Sequence, residues 1–77
     1  MAALRDNLVS ALKAKYQAQI LESMVNIQVL LETRVGVAEH PGLIETLDTE
    51  ISKLAEAEDK LGTVNANLVV PIPPKVV

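Results

Sequence analysis

The 77-residue sequence has no cysteine, no phenylalanine and no tryptophan, and Tyr16 is its only aromatic residue. Without cysteine, neither a disulfide framework nor a thiolate metal site is available. Without large aromatics, the core has to be built from Leu, Ile, Val, Met and Ala. Such a set suits helix–helix seams better than a rounded globule. Basic residues are few and scattered, so the electrostatic footprint of a duplex-binding protein is missing and no nucleic-acid partner is expected. Long uninterrupted apolar runs are also lacking: Glu22, Asn26 and Gln28 break up the most apolar stretch, and no membrane span is expected. The start, Met1-Ala2-Ala3-Leu4-Arg5-Asp6-Asn7, places an acid and an amide where a cleaved signal needs apolar residues. The expectation is a soluble protein, not exported by such a signal. At this length one small domain is the upper limit, and a lone core is marginal.

What the chain does have is apolar bulk, 49% of its residues, and an uneven charge. Residues 1–35 hold four basic and three acidic side chains, a balance of +1; residues 36–77 hold three lysines against seven acids, a balance of −4. From 20 to 31, eight of twelve residues are apolar. At 100° per residue they do not share one stripe. Ile20, Met24, Ile27 and Leu31 make one face, and Leu21, Val25 and Val29 lie on roughly the opposite side. A helix apolar on two sides needs more than one neighbour. In so short a chain, some of those neighbours must be other chains.

Neither Gly nor Pro occurs in residues 1–33, and Ala, Leu, Lys, Gln and Glu are frequent, which predicts one long helix over 1–33. Residues 34–40 read as a turn, with Gly36 ending the first helix and Pro41 opening the second. His40 beside Glu39 reads as loop polarity; no nucleophile or second ligand lies near, so no catalytic or metal role is assigned. A second helix is expected over 41–61, where Ile44, Leu47, Ile51, Leu54 and Leu61 keep heptad spacing with Glu58 in the skipped place. Gly62 reads as its stop. Folding one helix back on the other pairs Leu31 with Leu43, Ile27 with Leu47, Met24 with Ile51 and Ile20 with Leu54. Tyr16 then falls opposite Glu58.

The expected fold is therefore all-α: an antiparallel, coiled-coil-like two-helix hairpin whose seam is Tyr16, Ile20, Met24, Ile27, Leu31, Leu43, Leu47, Ile51, Leu54 and Leu61. An extended, proline-containing arm over 62–77 completes it, because Pro71, Pro73 and Pro74 forbid helix there. Apolar side chains outside that seam, Leu4, Leu8, Leu21, Val25 and Val29, together with Val70, Ile72 and Val76 of the arm, form the expected partner interface.

The run Val35-Gly36-Val37-Ala38-Glu39-His40-Pro41, followed by Leu43-Ile44-Glu45 and later Ala57-Glu58-Asp59-Lys60-Leu61, resembles small helical-hairpin proteins of contractile-tailed bacteriophages, whose turn reads V-G-x-x-E-H-P. The likeness spans about residues 12–61. It implies a phage-encoded, non-enzymatic protein of the virion, and it carries no site residues with it. Two functions are thus in view. One is a structural or assembly protein, such as a capsid decoration or cement subunit, sited in the virion and partnered by its own copies or a capsid protein. The other is a small cytoplasmic adaptor or regulator that binds a host or phage protein through helix packing. No cofactor, metal or catalytic residue is expected in either case.

Overall fold

A computed structural model describes residues 2–32 and 42–69, and shows two helices packed against each other, with no strand among the described residues. The first, α1, spans Ala2–Glu32; the second, α2, spans Leu43–Val64 and passes directly into a single π-helical stretch, Asn65–Val69. The all-α hairpin follows from the two uninterrupted helical runs. The expected turn at 34–40, with His40, lies outside the described residues. So do Pro41 and residues 70–77 of the expected arm, Val70, Ile72 and Val76 included.

At the start of α2 the carbonyl of Gly42 accepts from the Thr46 amide at 2.8 Å, closing the first turn. Glu45 in that turn complements the positive end of the helix dipole. The other end departs from expectation. Gly62 does not stop the helix; α2 runs through it, and residues 62–69 are helical rather than extended. Packing decides this. A mid-helix glycine costs about 1 kcal/mol, while Val64, one half-turn further on, is 5% exposed. Burying a valine contributes about 1.5–3 kcal/mol, so continuing outweighs stopping. Beyond Val64 the hydrogen-bond pattern loosens to the π form. There the Asn67 side-chain amide donates to the Thr63 carbonyl at 2.8 Å, and the Thr63 hydroxyl donates to the Asp59 carbonyl at 3.0 Å.

The helices meet along a seam turned by part of a rotation from the expected one. Tyr16, Ile20, Ile27, Leu43, Leu47, Leu54 and Leu61 are half-buried. Met24, Leu31 and Ile51, expected beside them, are 50%, 67% and 49% exposed. In their place the most buried side chains are Ser23, Glu50, Ala57 and Val64. Along α2, residues 43, 47, 50, 54, 57, 61 and 64 thus keep the 4–3 spacing of a heptad seam. Periodicity alone admits this row as readily as one through Ile44 and Ile51. Two physical features favour it. Ser23 and Ala57 are small and let the backbones approach, and Glu50 is satisfied where it lies. Ile44, on the rejected row, is 73% exposed.

Candidate interaction surfaces

Chemistry in the seam starts with Glu50, a carboxylate at 9% exposure. Such a group is stable there only if hydrogen-bonded or paired. Asn26 donates to it from α1 at 3.2 Å, and Lys53, one turn along α2, lies 3.4 Å from its other oxygen. The Asn26–Glu50 bond is an inter-helix contact with a direction, so it sets register in a way that interchangeable leucines do not. Levels along the hairpin pair residue 26 with 50 and 16 with 60, two residues off the expected register. Tyr16 accordingly lies beneath Lys60, whose ammonium stands 5.8 Å from the ring centroid, rather than facing Glu58, which is exposed. A cation over an aromatic face at that distance is attractive. Lys60 also makes an ion pair with Glu56, at 3.2 Å. Both partners are about half or more exposed, so that pair contributes little.

The two broad sides of the hairpin differ in chemistry. On one, Gln19, Glu22, Lys53, Glu56 and Lys60 surround Ser23 and Ala57 in a polar depression of about 280 Å³. On the other, Met24, Ile27, Leu31, Ile51 and Leu54, with Gln28 and Glu32, line an open apolar groove of about 430 Å³. Thus the three side chains displaced from the seam still stand together, along its edge. A third, shallower depression of about 160 Å³ joins Leu68 and Val69 of the π-helical stretch to Arg5, Asp6, Val9, Ser10 and Lys13.

The outer side of α1, away from α2, carries Leu4, Leu21, Val25 and Val29 at 66%, 63%, 54% and 57% exposure, with Leu8 on its flank at 59%. All five side chains expected at a partner interface and described here are therefore on the surface. Among the described residues, Ala57 and Val64 are the only buried apolar side chains, and none is fully buried. No group of three or more His, Asp or Glu among them is arranged to hold a metal ion. No helix among them is long and apolar enough to cross a membrane.

No protein-family model matches the sequence, and no curated protein or solved structure matches it.

Proposed function

We propose that this chain is a non-enzymatic structural or assembly protein that completes its apolar burial against other protein chains. The observation that carries this reading is how little the described residues bury: among them two apolar side chains are buried, while eleven large apolar ones are exposed. Apolar rows such as Leu21, Val25 and Val29 on α1, and Met24, Leu31 and Ile51 along the groove, are of the kind that marks interaction sites. Within this class, the resemblance of the turn to phage hairpin proteins supports a bacteriophage virion component, such as a capsid decoration or cement subunit. The reading as a virion component rests on that resemblance alone.

Quantitative mass spectrometry of purified particles from the source, set against the unassembled lysate fraction, tests it. A virion component is enriched in the particle at a fixed ratio to the major capsid protein. Recovery only in the unassembled fraction, bound to one other protein at equal stoichiometry, overturns the virion reading in favour of an adaptor.

A further inference from the structure

We infer that the outer side of α1 docks a second copy of this chain, with the two α1 helices antiparallel about a two-fold axis near residue 16. The inference rests on the reading of the chain as an assembly protein and names its first partner. Leu4, Ala11, Ala14, Ala18, Leu21 and Val25 are exposed, and from Ala11 onward they step by three and four. That is a second heptad row, opposite the row that faces α2. A two-fold axis at residue 16 sets residue 11 against 21 and 14 against 18. The bulk of Leu21 then meets the small Ala11 of the other copy, and the central alanines permit close approach. A parallel arrangement instead places Leu21 on Leu21 and leaves the alanines facing a gap.

Charge selects the same orientation. Over the described length of α1, Arg5, Lys13 and Lys15 against Asp6 give the first half +2, while Glu22 and Glu32 give the second half −2. Antiparallel copies lay each half over its opposite, and parallel copies lay like over like. Charge also argues against stacking on the apolar groove. From 43 to 69, Lys53 and Lys60 face six acids, a balance of −4, and face-to-face stacking brings two such helices together. Docking along α1 keeps them at the far sides of the pair.

The test uses the full chain, whose lack of cysteine makes single-cysteine probes unambiguous. Sedimentation equilibrium should give twice the monomer mass, with dissociation promoted by salt. Ala11→Cys and Leu21→Cys variants, treated with a short bismaleimide, should cross-link when mixed and not when alone. The double variant Val25→Lys with Ala18→Lys should raise the dimer dissociation constant at least tenfold. A monomer at all concentrations overturns the inference. So does self-cross-linking of Ala11→Cys, which indicates a parallel pair, or an unchanged dimer in the double variant, which places the contact elsewhere. Particle mass spectrometry reads the assembly role separately, so a monomer found in particles removes this inference and leaves that role standing.

Discussion

Replacing Asn26 by alanine tests whether the helices meet where the structure places them. In the folded chain Asn26 donates to Glu50 at 3.2 Å, and Glu50 is 9% exposed. Without the amide, the carboxylate keeps Lys53 at 3.4 Å, a side chain 60% exposed and therefore a weak partner. A hydrogen bond to a charged group contributes about 1.5–3 kcal/mol. Alanine recovers about half a kcal/mol as the better helix former, leaving a net loss of about 1–2.5 kcal/mol. With a urea slope near 1 kcal/mol per molar for so small a chain, the midpoint should fall by about 1–2.5 M. The comparison is Gln28→Ala, which removes an amide bonded to Glu32 at 3.1 Å on the exposed surface of the same helix. That change should cost less than about 0.5 kcal/mol. Far-UV circular dichroism at matched protein concentrations measures both, since association itself adds stability. Equal midpoints for the two variants would refute the seam through Glu50. If the seam is right, Asn26→Leu combined with Glu50→Leu should match or exceed the parent, because an apolar pair of similar volume spares the desolvation of the carboxylate.

Two further outcomes concern the far end of α2. Gly62 has open space around the position a Cβ would take and sits within the helix. Gly62→Ala should therefore raise stability by about 1 kcal/mol in the same urea assay; a loss would mean that the glycine ends the helix after all. Val64→Ala should lower it by about 1.5–2.5 kcal/mol through lost burial and the space left behind. Val69→Ala, at a site 40% exposed, should lose less than half as much, and equal losses would contradict the burial of Val64.

The hairpin itself was legible because Leu47, Leu54 and Leu61 repeat every seven residues and no breaker interrupts residues 1–33. Which flank of that leucine row turns inward was not. Hydropathy ranks Ile44, Ile51, Met24 and Leu31 above Glu50, Ala57 and Ser23, yet the less apolar set is buried. Periodicity does not record that small side chains allow close approach, nor that a carboxylate finds its amide on the other helix. The misplaced stop at Gly62 has a similar origin, since a local rule was outweighed by the burial of Val64 just beyond it. The surface was read better: Leu4, Leu8, Leu21, Val25 and Val29 are exposed as the two-sided pattern of α1 required. The partner proposed for them rests on charge and symmetry, which a hydropathy pattern does not encode.

The sparse interior has a thermodynamic consequence. The heat capacity of unfolding comes chiefly from apolar surface newly exposed to water, and globular chains average about 12–15 cal/mol/K per residue. A hairpin that leaves Leu4, Leu21, Leu31 and Ile44 more than 60% exposed has little of that surface left to expose. Its stability curve is accordingly shallow: warming and cooling each weaken it gradually, and a calorimetric trace of the lone chain is low and broad. Burial deferred to association takes its heat capacity with it. Under the proposed association, the steep temperature dependence usual for a folded domain would belong to the contact between chains rather than to the lone hairpin.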